Sequence, residues 1–118
     1  MYSRPTWNEK ANFLKEYNAL ASELASIFHD PNGKTDTELT AQLVEQSLAG
    51  GHRQWLEEVV SQGERFLAQR ELPMSLIADY ANRYLVTEAE QRQWLQALLD
   101  RVQAELGRRQ DLGEAEPT

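Results

Sequence analysis

The stretch WLEEVVSQGERFL, residues 55–67, decides the fold of this chain. Its apolar residues return every three or four positions, which is the period of an α-helix with one buried face. Four other segments show the same period, and none alternates every second residue as a half-buried strand would. The pattern predicts an all-α fold, a compact bundle of about five helices.

Start and stop signals predict the first two helices. Thr6 and Glu9 have the spacing of a capping box, so the first helix is expected to begin there and run to Phe28. The second is expected to begin with Asp36 as its N-cap and to stop at Gly50, because glycine takes a left-handed C-cap conformation at little cost.

The same signals predict the C-terminal helices. Pro73 is expected to open a short fourth helix, since proline is tolerated in a first turn. Thr87 and Glu90 form a second capping-box pattern for the fifth helix, and Gly107 is expected to end it.

The chain length indicates one domain. At 118 residues a single core is sufficient, so residues 1–118 are expected to form one helical domain. The ordered core is expected to span about 6–108, followed by a disordered acidic tail, 111–118.

The Trp residues and two of the Tyr residues are expected mainly to pack in the core. Trp7, Trp55 and Trp94 each lie in phase with an apolar stripe, which favours burial. Tyr80 and Tyr84 lie one turn apart, and they are expected to be core rings with hydroxyls at the surface. The same spacing would also suit a binding anchor.

Composition narrows the class of protein. There is no cysteine to form a disulfide framework and no apolar run long enough to cross a membrane, so a cytoplasmic protein is expected. Twelve scattered Lys and Arg residues do not form the cluster that phosphate binding needs, which disfavours nucleic acid as a partner. A monomer is the default expectation.

Motifs for catalysis and ligand binding are not found. Gly33-Lys34-Thr35 lacks the earlier glycine and the preceding strand of a phosphate-binding loop. Asp30 and Asp36 do not have the spacing of a calcium loop, and His29 and His52 have no partners at the spacing of metal ligands. We therefore expect no enzyme, cofactor or metal, although two carboxylates paired only in space would escape this reasoning.

The negative charge is concentrated in one segment. The net charge is −7, and residues 30–64 hold seven acidic residues against two basic ones, Lys34 and Arg53. Because this negative charge comes without a catalytic motif, it favours a surface that binds a basic protein partner. The alternative is that the negative charge only keeps the protein soluble.

Helical spacing places these carboxylates on two faces. Glu38 and Glu45 share a face of the second helix, and Glu57 and Glu64 share a face of the third. If the two helices form an antiparallel hairpin, the faces are expected to merge into one acidic patch. The predicted partner-binding residues are Asp36, Glu38, Glu45, Glu57, Glu58 and Glu64.

Four short runs carry a resemblance to a known family. They are Phe28-His29-Asp30, residues 44–49 (VEQSLA), Leu56-Glu57-Glu58-Val59 and Trp94-Leu95. In this order, across residues 13–103, the chain resembles the helical immunity proteins of bacterial contact-dependent growth inhibition systems.

The resemblance implies a function. Such a protein would bind and block the toxic C-terminal domain of a cognate secreted effector in the cytoplasm. Many of these toxins are nucleases, so an acidic inhibitor would occupy a basic cleft as a mimic of phosphate charge. Two other hypotheses stay open from the residues alone: an adaptor or chaperone that receives a partner helix in an apolar groove, and a small enzyme with paired carboxylates.

Overall fold

The computed structural model describes residues 5–72 and 76–114, and the described chain is helical with no strand, which confirms the all-α prediction. The elements are α1 (Trp7–Glu16), α2 (Asn18–Glu23), a π-helical turn (Leu24–Phe28), α3 (Asp36–Ala49), α4 (Arg53–Leu67), α5 (Leu76–Ala81) and α6 (Glu88–Glu114). The predicted helix start at Pro73 lies outside the described residues. Among the described residues, no helix is long and apolar enough to cross a membrane.

The predicted first helix is divided by a break at Tyr17. Its capping box is present as predicted, with Thr6 and Glu9 bonded reciprocally. Tyr17 then leaves the helical region at φ −129° and ψ 49°, and α2 starts at the next residue, Asn18. The buried Gln62 side chain of α4 replaces the missing helical partners, because its Oε1 accepts from Ala19 N at 2.9 Å and from Leu20 N at 3.1 Å.

One core joins all the helices. Helix α4 packs against α2 and α6, and α6 also packs along α3. The approach of α4 to α6 is close at Gly63, where an added Cβ would lie 2.6 Å from Leu99 Cδ2. The largest fully buried side chains include Phe28, Phe66, Leu20, Leu24, Leu43, Leu56, Ile77, Leu95, Leu98 and Leu99.

Asp36 ties α3 to the end of α5 and to α6. Its carboxylate accepts from Arg83 Nη2 at 2.6 Å and from Trp94 Nε1 at 2.8 Å. The predicted role of Asp36 as N-cap is wrong, because Thr35 caps α3 and forms a capping box with Glu38. Burial would raise the pKa of Asp36, but the hydrogen bonds from Arg83 and Trp94 outweigh it and hold the pKa below its ordinary value.

Two predicted core aromatics lie at the surface. Trp7 is 80% exposed and Tyr84 is 85% exposed, whereas Trp55, Trp94 and Tyr80 are partly buried against the core. Trp7 is in phase with the apolar residues that follow it, but this part of the stripe is uncovered, since Ala11 and Leu14 are exposed as well.

The C-terminal helix is longer than predicted. Helix α6 continues through Gly107 to Glu114, so Gly107 does not end it. Glycine stops a helix where its backbone turns left-handed, and Gly107 has no positive φ. Helix α6 thus includes Asp111 to Glu114, the start of the predicted tail, and residues 115–118 lie outside the described part of the chain.

Candidate functional site

The outer face of α3 carries two of the predicted carboxylates. Glu38 and Glu45 are exposed on the side of the helix away from the buried Leu43 and Ser47. Hydrogen bonds from the backbone and side chain of Thr35 lower the pKa of Glu38, so it is ionised at neutral pH. Together with Ala41 and Gln42, these two acids line a shallow surface depression.

A polar groove runs beside this face, between the π-helical turn and α3. Its volume is about 360 Å³. Glu23 lies at one side, where its Oε1 accepts from Trp55 Nε1 at 2.8 Å. Burial raises the pKa of Glu23, and the Trp55 hydrogen bond opposes this only in part. Across the groove, Lys34 Nζ donates to Gln42 Oε1 at 2.6 Å.

The groove and the α3 face form one continuous surface, because Lys34, Gln42 and Gln46 line both. Four carboxylates stand here against one ammonium group. We call this surface the α3 groove and define it by Glu23, Ser26, Asp30, Lys34, Glu38, Gln42, Glu45 and Gln46.

The predicted carboxylates of α4 lie elsewhere. Glu57 and Glu64 line a separate depression of about 270 Å³ against α6, which we call the α4 groove and define by Glu57, Val60, Ser61, Glu64, Gln103 and Leu106. Glu57 is also paired with Arg53 at 3.3 Å. Glu58 lies toward α2, where its Oε1 accepts from Gln62 Nε2 at 3.0 Å.

The two acidic faces do not merge as the hairpin hypothesis expected. Glu38 and Glu45 line a depression formed by α3 and the loop before it, whereas Glu57 and Glu64 line a depression between α4 and α6. The residues that line the α3 groove are all different from those that line the α4 groove. The predicted single patch is therefore wrong, and the structure divides it into two.

Asp36 does not belong to either surface. Its side chain is partly buried, and both carboxylate oxygens accept hydrogen bonds from within the fold. A carboxylate that is already paired with Arg83 offers little attraction to a second cation. Of the six predicted residues, Glu38 and Glu45 are brought together in the α3 groove and Glu57 and Glu64 in the α4 groove.

Sequence reasoning missed Glu23 and Asp30 as groove residues. Asp30 was considered only as a possible calcium ligand and as part of the run Phe28-His29-Asp30. Glu23 could have been noticed as a single acid among the apolar residues between Leu20 and Phe28, but its partner Trp55 lies 32 positions further on. Only the fold brings these two residues together.

Metal binding finds no support in the described residues. Among the side chains that the structure describes, in residues 5–72 and 76–108, no group of three or more His, Asp or Glu is placed to hold a metal ion. The depressions are open grooves on the surface of the bundle. Their polar side chains can bind the charged or amide groups of another molecule.

Comparison of the chain with protein-family models, with curated proteins and with solved structures found no match.

Proposed function

We propose that this protein is an immunity protein that binds and neutralises the toxic C-terminal domain of a cognate secreted effector. In this proposal it acts in the cytoplasm as a binding protein, without catalysis or cofactor. Its target is a basic toxin domain, and a nuclease is the leading candidate. The proposal rests on the family resemblance and on the acidic surface that the fold assembles.

One observation carries the proposal: the α3 groove holds four carboxylates and a single ammonium group on rigid helical elements. Glu23, Glu38 and Glu45 come from helices, and Asp30 from the turn that joins them. Carboxylates held in place attract a basic partner during approach and then pair with its Lys and Arg side chains. Ser26 and the amides of Gln42 and Gln46 add hydrogen-bonding groups between the charges.

The α3 groove suits this role better than the α4 groove. Glu57 in the α4 groove is paired with Arg53, and Val60 and Leu106 supply part of its lining. In the α3 groove the one basic residue, Lys34, is bonded to the neutral Gln42. We therefore assign the predicted partner contact to Glu38 and Glu45, together with Glu23 and Asp30.

A matched pair of variants tests the assignment. Glu38→Gln/Glu45→Lys changes the α3 groove by three charge units and keeps the capping box, because glutamine also serves at that position. Glu57→Gln/Glu64→Lys makes the same change in the α4 groove. The probe is the C-terminal domain of the secreted effector that the proposal expects beside the gene, with association rates measured over a range of salt concentrations.

The α3 variant is expected to associate about tenfold more slowly and with a flatter salt dependence, since steering by charge is lost. The α4 variant is expected to retain most of the wild-type rate. Equal rates for wild type and the α3 variant would remove the electrostatic basis of the proposal. Circular dichroism of both variants checks that the fold is intact.

An adaptor or chaperone is the second candidate, and one observation favours it. Helix α1 carries an exposed apolar stripe of Trp7, Ala11 and Leu14, in which Trp7 is 80% and Leu14 is 48% exposed. A stripe at this spacing suits a partner helix. Binding that is lost in Trp7→Ser/Leu14→Ser and insensitive to salt would favour this candidate over the first.

A further inference from the structure

The segment Pro31-Asn32-Gly33-Lys34 is a tight exposed turn beside the α3 groove. Lys34 N donates to Pro31 O at 3.0 Å. Both central residues have positive φ, 56° at Asn32 and 81° at Gly33, as a type I′ turn requires. An added Cβ on Gly33 would meet nothing within 4 Å, so the peptide that follows Asn32 is open to solvent.

The chain contains a second left-handed asparagine, which serves as an internal comparison. Asn82 has the same φ of 56°. Its Nδ2 donates to His29 O at 3.1 Å, and the next residue is Arg83, whose backbone N donates to Ala78 O at 2.9 Å. Both the side chain of Asn82 and the peptide nitrogen that follows it are therefore held.

Asn32 is not held in this way. Among the groups that the structure describes in residues 5–72 and 76–108, none forms a hydrogen bond with the Asn32 carboxamide or with the Gly33 N–H. Gly33 has no side chain to hinder the approach of its nitrogen to the neighbouring carboxamide. The Asn32 carboxamide and the Gly33 nitrogen that must react with it are therefore not held by hydrogen bonds, and the Gly33 N–H is accessible to base.

We infer that Asn32 is a site of spontaneous deamidation in the folded protein. After the Gly33 N–H loses its proton to base, the nitrogen attacks Cγ of Asn32. The N–Cγ bond forms, the Cγ–Nδ2 bond breaks, and ammonia leaves with the proton. Water then opens the cyclic imide at either carbonyl carbon, which gives aspartate or isoaspartate without any change of oxidation state.

The product changes the rim of the α3 groove. Asn32 lines the groove between Asp30 and Lys34, so deamidation adds a carboxylate there. The isoaspartate product also adds one methylene to the main chain, which disrupts the turn that positions Lys34. The modification follows from the turn alone and does not depend on the proposed toxin partner.

Peptide mapping by mass spectrometry tests the inference. The folded protein is incubated at several mildly alkaline pH values in heavy-oxygen water. Asn32 is expected to lose its amide first, with incorporation of heavy oxygen, as a mixture of aspartate and isoaspartate and at a rate that rises with pH. Asn82 is expected to keep its amide in the same samples.

Gly33→Ala provides a variant, because its methyl group hinders attack by the residue 33 nitrogen and its side chain also strains the turn at the left-handed φ of 81°. Its conversion at Asn32 is expected to be several-fold slower, with circular dichroism to check the fold. Loss of amide at Asn82 as fast as at Asn32, or conversion of Asn32 only after unfolding in denaturant, would overturn the inference.

Discussion

Asp36 and Arg83 lie 47 positions apart in the chain, yet Arg83 Nη2 donates to Asp36 Oδ1 at 2.6 Å. Arg83 also donates to Phe28 O at 2.7 Å, and its guanidinium lies 5.7 Å from the centroid of the Trp94 ring. This pair therefore joins the π-helical turn, the first turn of α3, the segment after α5, and α6. The carboxylate of Asp36, a predicted partner-binding residue, is thus bonded within the fold.

Replacement of Asp36 by alanine is expected to lower the free energy of unfolding by about 2–3 kcal/mol, because Arg83 and Trp94 lose a charged acceptor in a partly buried place. Asp36→Asn keeps an acceptor for Trp94, so its free energy of unfolding should fall by roughly half as much. Urea unfolding measures both. An alanine variant as stable as wild type would show that the pair contributes nothing net.

Glu23→Gln is expected to remove a pH dependence of stability. Burial raises the pKa of Glu23 in the folded state above its ordinary value of 4.5. A raised pKa means that the contribution to stability is full below 4.5 and is lost as pH rises through the folded-state pKa. The glutamine variant keeps an acceptor for Trp55 but has no charge to bury.

The stability advantage of Glu23→Gln should therefore grow with rising pH and reach a plateau at neutral pH. Unfolding free energies of both proteins between acid and neutral pH provide the measurement. Parallel curves over that range would contradict the assignment of burial as the cause.

Gln62→Leu is expected to destabilise the junction of α1 and α2. The variant leaves the amides of Ala19 and Leu20 buried without an acceptor, which costs about 1–3 kcal/mol for each. Hydrogen exchange at these two amides should accelerate more than elsewhere in α2. Glu58→Ala is the control, because it removes one hydrogen bond of Gln62 and leaves the two amides capped. Equal exchange in both variants would argue against the capping role.

Gly63→Ala is expected to cost about 1–3 kcal/mol, because the new Cβ would lie 2.6 Å from Leu99 Cδ2 in a packed core. Leu99→Ala alone should cost about 2–5 kcal/mol by leaving a cavity. The double variant should lose less than the sum, since the added methyl group partly fills that cavity. If the losses of unfolding free energy in the two single variants are strictly additive in the double variant, the strain of Gly63→Ala does not arise at the contact with Leu99.

The fold class could be predicted from the sequence because helical periodicity is a local property. Residues 55–67 show it most clearly, and the α4 stripe is buried as predicted at Leu56, Val59 and Phe66. The break at Tyr17 could not be predicted, because the residues around it keep the helical period and the cap that permits the break comes from Gln62.

The candidate surface was less predictable than the fold. Spacing along one helix correctly placed Glu38 with Glu45 and Glu57 with Glu64. Whether the acidic faces of two helices merge depends on the tertiary packing, and here the Glu57–Glu64 face of α4 lies against α6 instead. Charge counting also treats every carboxylate alike, so it did not distinguish Asp36, bonded to Arg83, from Glu45, which is exposed.

The π-helical turn makes the chain tolerant of a shorter sequence at one point of its first half. A π turn holds one residue more than an α turn. Deleting one residue between Leu24 and Phe28 would therefore restore the α register and leave the preceding helix in nearly the same orientation relative to His29. Glu23 would keep its place beside Trp55, whereas the same deletion inside α4 would rotate one end of that helix by roughly 100° relative to the other.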